Sequence, residues 1–456
     1  MTLKTKIILA SVLLLISLAV ALGYAISPAA EAPLALIILG FALFIPLSIL
    51  WPVGGLFGAV FLRHSLDIFT DKTITIFSLH INFAVALGLL VLLGALIYFL
   101  NGKINFKNLP LKNYWLFFLL VITLSLPLAV EPTTALREWL KVIISFSLFA
   151  VGAFYFGLKE RREKIEKLII WALLIPLALA LYQIITSSGL IGFGLPSRAF
   201  GTYGHPNVLA FNLVIGIGLL FYLWRTHYIH KKWPIIFIGL GIIALLFTYT
   251  RAGYIGLAVF AIVLGLFEYR ALTIKIFTLL GILALLFFPI NNWLKTTYHY
   301  DLQNNPLIYR LTSQEEEFNS LDWRRILWQQ SLNKFWQRPI LGWGYGMFGN
   351  VLSTDRSDVD PPEAHNDYLR LIVETGGLGL ISYLILQTSI LYALFKRWRN
   401  YAPRTHQKLQ FAIMIALTLT LLVESLSDNI LHATALQWSW LLLLGASLAE
   451  PWKQTK

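Results

Sequence analysis

Apolar stretches long enough to cross a bilayer recur along the whole chain. They lie at about 7–26, 33–51, 54–70, 76–100, 114–130, 139–158, 168–187, 207–224, 234–250, 252–268, 274–290, 367–395, 409–426 and 433–449. The pattern predicts an all-α integral membrane protein, a polytopic helical bundle of about 12–14 transmembrane helices. The weakest run is 54–70, which carries Arg63, His64 and Asp67. Arg63 and Asp67 are one helical turn apart and are expected to satisfy each other. Lys4 and Lys6 give the first run a basic start, but it is too long for a signal peptide and lacks a small-residue cleavage site.

One segment, about 291–364, is too polar to be membrane and too long for a simple connection, which marks it as functional. It holds a predicted short amphipathic helix, with Asp322 as N-cap, apolar bulk from Trp323, Ile326, Leu327, Phe335 and Trp336, and a stop at Pro339. Such a Trp-rich helix is expected to lie at the membrane surface. No internal repeat, low-complexity tract or separate soluble domain is visible. The chain divides into N-terminal helices (1–200), a central region (201–395, including the loop 291–364) and C-terminal helices (396–456).

Composition agrees with the pattern. The 456 residues are 57% hydrophobic and only 13% charged, about half the charge of a soluble domain. There is no Cys, which excludes disulfides, thiolate metal sites and a Cys nucleophile. The net charge of +13 would raise nucleic acid as a partner in a soluble protein. Here the basic clusters at Lys103/Lys107/Lys112, 159–167, Arg225/Lys231/Lys232, Arg270/Lys275 and 396–408 all fall on the side of the N-terminus if all fourteen runs span. The positive-inside rule then makes that side cytoplasmic, with both termini inside, and the charge records orientation and not nucleic-acid binding.

The informative charges are those left on the external face: Arg137, Arg198, Arg251, Arg324 and Arg325. Arg251 sits in Tyr249-Thr250-Arg251-Ala252-Gly253, between two spans with almost no loop. An arginine at that depth costs about 2.5–3.5 kcal/mol on insertion scales, so it either snorkels to lipid phosphate or a helix end, or forms a fork for a diphosphate. Pro361-Pro362-Glu363-Ala364-His365-Asn366-Asp367-Tyr368 leads straight into a span. His365, at its outer end, either caps the helix or takes a proton from a hydroxyl nucleophile. Gly201-Thr202-Tyr203-Gly204-His205-Pro206-Asn207 is either a turn before a helix or the polar lining of a site. The run Pro339-Ile340-Leu341-Gly342-Trp343-Gly344-Tyr345-Gly346 lacks the Gly-Lys-Ser/Thr ending of a nucleotide loop. Asp355, Asp358 and Asp360 are read as solvated loop acids and not as a metal site.

Taken in order, these pieces resemble the O-antigen ligase/polymerase superfamily. The resemblance rests on His365-Asn366 followed by Gly376-x-x-Gly379, on 201–207, on Thr250-Arg251-Ala252-Gly253, and on Arg324-x-x-x-Trp328 leading to the Gly-rich run at 339. It covers about 200–395 by motif and the remainder by hydropathy alone. His205 departs from the pattern, since relatives commonly carry Asn there, and Arg325 beside Arg324 blurs the register of the second arginine.

The resemblance implies a bacterial inner-membrane glycosyltransferase of the O-antigen ligase type, working on the periplasmic side. It would move a glycan from an undecaprenyl-diphosphate carrier to an acceptor hydroxyl, inverting at the anomeric centre with neither metal nor other cofactor. In that picture Arg251 and Arg324 bind the diphosphate and His365 activates the acceptor, with Arg325, Asn207, His205, Asn366 and Tyr368 lining the substrate. The acceptor is lipid A-core sugar for a ligase, another carrier-linked glycan for a polymerase, or a protein hydroxyl for an oligosaccharyltransferase. The competing class is a solute transporter, for which paired discontinuous helices and repeat symmetry are expected.

Overall fold

The computed structural model describes residues 50–69, 73–76, 79–102, 104–155, 159–192, 195–226, 232–298, 301–302, 308, 320–352 and 363–449. The predicted span 7–26, and all of 33–51 but its last two residues, lie outside them, as do Asp355, Asp358, Asp360, Pro361 and Pro362. Elements are numbered along the described chain. First come α1 (Pro52–Ser65), a hairpin of β1 (Thr73–Ile76) and β2 (Leu79–Asn82), α2 (Phe83–Leu100), α3 (Lys112–Ser125), α4 (Pro132–Tyr155) and α5 (Lys159–Thr186). A second hairpin, β3 (Leu190–Gly192) and β4 (Leu195–Arg198), precedes α6 (Pro206–Thr226), α7 (Lys232–Leu246), α8 (Arg251–Glu268) and α9 (Arg270–Tyr298). Then follow α10 (Ser320–Gln337), α11 (Phe348–Val351), α12 (Asp367–Asn400), α13 (His406–Glu424) and α14 (Thr434–Leu448).

The protein is a polytopic helical membrane protein. Among the described residues seven helices, α2, α4, α5, α6, α8, α12 and α13, are long and apolar enough to cross a bilayer. Three shorter apolar helices, α3, α7 and α14, accompany them. Two predicted spans take another form. The segment read as 54–70 yields only the 14-residue α1, ~21 Å long at 1.5 Å per residue and short of a ~30 Å hydrocarbon core. The run read as 76–100 opens with strand, because Thr73-Ile74-Thr75-Ile76 alternates β-branched residues with period two. Asn82 closes the hairpin and caps α2, its side chain accepting from the amide of Val85 at 2.9 Å. The predicted amphipathic helix forms as α10, so Asp322 lies within its first turn instead of capping it.

Glycines set the closest helix contacts. On α4 a Cβ at Gly152 would meet the carbonyl oxygen of Leu442 at 2.4 Å. Across the same interface a Cβ at Gly445 of α14 would fall on the carbonyl of Phe149. Two small residues thus let the backbones of α4 and α14 touch, the usual means of association where lipid offers no hydrophobic drive. The far end of α14 is capped by Arg397 of α12, which donates to the carbonyls of Ser447 at 2.8 Å, Leu448 at 2.6 Å and Ala449 at 2.7 Å.

Helix α12 is broken at Gly376, whose φ of 65° and ψ of −169° interrupt the ladder. The break frees carbonyls and amides that must find partners inside an apolar bundle. The Gly-rich run at 339–346 supplies them. Trp343 and Gly344 donate to the carbonyls of Val373 (3.0 Å) and Glu374 (2.9 Å), while Gly377 and Leu378 donate to those of Pro339 (2.7 Å) and Ile340 (3.3 Å). Gly376 cannot carry a side chain, because its Cβ would meet the Ile340 backbone at 2.3 Å. Thus the loop before α12 and the first turns of α12 form one hydrogen-bonded unit, and His365 lies between them in sequence.

Candidate functional site

His365 precedes α12 with φ of 43°, a left-handed conformation that a non-glycine residue adopts at some cost. The backbone around it is held firmly. The side chain of Asn366 accepts from the amides of Tyr368 and Leu369, both at 3.0 Å, and its own amide donates to the carbonyl of Leu426 at 3.1 Å. The amide of Asp367 donates to Ser425 at 2.9 Å, and its carboxylate accepts from the amide of Leu431 at 3.1 Å. Tyr368 donates its hydroxyl to Leu422 at 2.7 Å, and Trp328 of α10 donates to the carbonyl of Ala364 at 3.0 Å. The start of α12 is thereby stitched to the connection between α13 and α14.

That connection carries Asp428, which sequence reasoning missed. Its Oδ1 lies 3.3 Å from Nδ1 of His365 and accepts the amide of Asn429 at 2.8 Å. Its other oxygen accepts the side-chain amide of Asn207. Burial would raise the Asp428 pKa, but hydrogen bonding and charge attraction from His365, the Asn429 amide and His205 together hold it below the ordinary carboxylate value. A carboxylate only accepts, so Nδ1 of His365 bears the proton and Nε2 carries the lone pair whenever the ring is neutral.

Asn207 joins this pair to Arg198. Its Oδ1 accepts from the hydroxyl of Thr250 at 3.1 Å and from Arg198 at 3.4 Å. Arg198, buried at the end of β4, also donates to the carbonyl of Thr248 at 2.8 Å and to the hydroxyl of Thr250 at 3.3 Å. Arg198 was legible as an external arginine; its use as a brace for the 248–250 turn was not. Tyr249, within that turn, is left-handed with φ of 49°. Thr250 ends the turn and Arg251 opens α8, partly exposed at the helix N-terminus.

The remaining expected residues distribute unevenly. Arg324 Nη1 lies 3.5 Å from the carbonyl oxygen of Ser427, next to Asp428. His205 is within electrostatic range of Asp428, Arg198, His365 and Arg324. Its ring keeps an exposed edge, yet desolvation, opposed by Asp428 and reinforced chiefly by Arg198 and also by Arg324, pushes its pKa down to about 4. A neutral ring fits its Nδ1 accepting the amide of Asn207 at 3.2 Å. Arg325 is exposed on α10. Asn366 and Tyr368 spend their polar groups on the backbone contacts above. Among the described residues no three His, Asp or Glu side chains group as a metal site.

Chemically, the arrangement offers a base, an oriented carboxylate behind it and cations around it. Residues 235–384, running from α7 into α12, match the model of the O-antigen ligase family and constitute an O-antigen ligase domain. The matched stretch contains Arg251, Arg324, His365, Asn366 and Tyr368; Asp428, Asn207, His205 and Arg198 come from outside it. No curated protein matches the chain.

Proposed function

We propose that this protein is a membrane glycosyltransferase that moves a glycan from an undecaprenyl-diphosphate carrier to an acceptor hydroxyl on the periplasmic face. The observation that carries the reading is the His365–Asp428 contact, made by a histidine of the O-antigen ligase domain. Nε2 of His365 takes the proton of the acceptor hydroxyl. The hydroxyl oxygen forms a bond to the anomeric carbon as the carbon–oxygen bond to the carrier breaks, and the diphosphate leaves with the electron pair. Direct displacement inverts the anomeric configuration. Arg251 and Arg324 bind the diphosphate bidentately and stabilise the charge that develops on it. The leaving group is already activated, so the reaction consumes no nucleotide.

Arg63 and Asp67, the charges a transport reading would use, form an ion pair with each other, which favours the enzyme. A lipid A-core acceptor, and hence a ligase, is the first choice among acceptors. A deletion strain tests it. Loss of lipid A-linked long chains with accumulation of carrier-linked polymer is the expected phenotype. Chains of a single repeat would instead identify a polymerase, and an unchanged glycan profile would overturn the transferase reading.

A further inference from the structure

A cavity of about 320 Å³ lies apart from His365, between the end of α1, the start of α2, the first turns of α4 and the start of α14. Three cations line it, Arg63, Arg137 and Lys141. Arg63 is buried, paired with Asp67 and bonded to the hydroxyl of Thr434 at 2.5 Å, yet its Nε has no hydrogen-bond partner. Lys141 donates to Glu138 at 2.5 Å, and the ring of His432 faces the other oxygen of Glu138 at 3.6 Å. Arg137 is exposed, and among the described residues no carboxylate pairs with it. The three cations thus exceed the two carboxylates, Asp67 and Glu138, and a buried guanidinium N–H is left unsatisfied, which calls for an explanation.

Apolar side chains share the lining: Val85 and Leu89 are one turn apart on α2, and Leu140 and Ile144 are one turn apart on α4. Leu89 is 48% exposed. Cations beside apolar side chains in one cavity match a phosphate headgroup with the first part of its hydrocarbon chains.

We propose that this cavity is a second lipid site, which binds the phosphate headgroup of an anionic membrane lipid through Arg63, Arg137 and Lys141. The site stands independently of the transfer reaction proposed above. The two sites adjoin at the connection between α13 and α14, where Asp428 faces His365 while His432, with Thr434 at the start of α14, lines the cavity.

The test uses the full chain in detergent, mixed with phosphatidic acid or phosphatidylcholine, with lipid retention read by native mass spectrometry. Wild type is expected to retain phosphatidic acid preferentially. Arg137→Gln should lower that retention about fivefold, the effect of about 1 kcal/mol for one basic residue at a lipid phosphate. The Arg137→Gln/Lys141→Gln pair should lower it further, and Leu89→Gln should weaken lipid retention without changing competition by inorganic phosphate. Arg137 is exposed and outside every ion pair described, so its variant is expected to melt as wild type. Equal retention of both lipids by wild type, or undiminished retention of phosphatidic acid by a folded Arg137→Gln variant, would overturn the site. Saturation by inorganic phosphate with no lipid preference would assign the cavity to the free anion and overturn the lipid.

Discussion

Nδ1 of His365 stands 3.3 Å from a carboxylate oxygen of Asp428, which lies 63 residues further along the chain. The contact fixes the tautomer and aim of the imidazole, because the carboxylate is anchored on its other side by Asn207. A histidine so held is aimed to act as a base through Nε2.

Replacement of His365 by Ala should lower glycan transfer by at least about 100-fold, the range for loss of a positioned base. Protein level and membrane insertion should be unchanged, since the helix cap is Asn366. Transfer by the purified variant checks this; wild-type turnover would remove the base from the mechanism.

Asp428→Asn should reduce transfer by roughly 10-fold or more while leaving carrier binding nearly intact, because the loss is in aim and tautomer. The same variant should change acid stability. The folded-state pKa of Asp428 is depressed, so its contribution is fully present above the ordinary carboxylate range and vanishes as pH falls through the lower folded value. Melting curves of wild type and variant should therefore differ at neutral pH and converge in strong acid.

Arg251→Lys should be severely impaired, by about 10- to 100-fold, because an ammonium offers a point charge in place of a fork. Arg324→Lys should behave alike. Turnover measured at saturating carrier distinguishes the two contributions, and unimpaired turnover in both would count against a diphosphate clamp.

Gly376→Ala should destabilise the protein by about 1–3 kcal/mol or more, through a left-handed φ and a collision with the Ile340 backbone. A lowered melting temperature, with transfer lost in parallel, is the expected result. A variant of wild-type stability would show that the break in α12 tolerates a side chain.

Single-cysteine labelling tests the orientation cleanly in a chain without native Cys. A cysteine at position 365 should react with an impermeant reagent from the periplasmic side. Reaction only from the cytoplasm would invert the topology and move the whole site to the other face.

Much of this protein was written in its one-dimensional pattern. Long apolar runs must become helices in a bilayer, because only a helix satisfies its backbone alone within one segment. Hence α4, α6, α8, α12 and α13 were all legible, as were His365 and the arginines, since charge next to apolar runs stands out. The short α1 and the hairpin before α2 were less legible, because a hydropathy window cannot see where a helix stops being long enough. What only the tertiary structure decided is which polar groups meet. Asp428, one acid in a short connection, is unremarkable by sequence; Arg198 and Arg63 stand out there as charges, but their contacts with Thr248 and Thr434 do not. Their roles arise because the start of α12, the connection between α13 and α14, and the turns before α6 and α8 meet, while the end of α1 meets the start of α14, so that residues far apart in the chain share desolvated space. There an unpartnered charge is expensive and each polar group is driven to a definite partner.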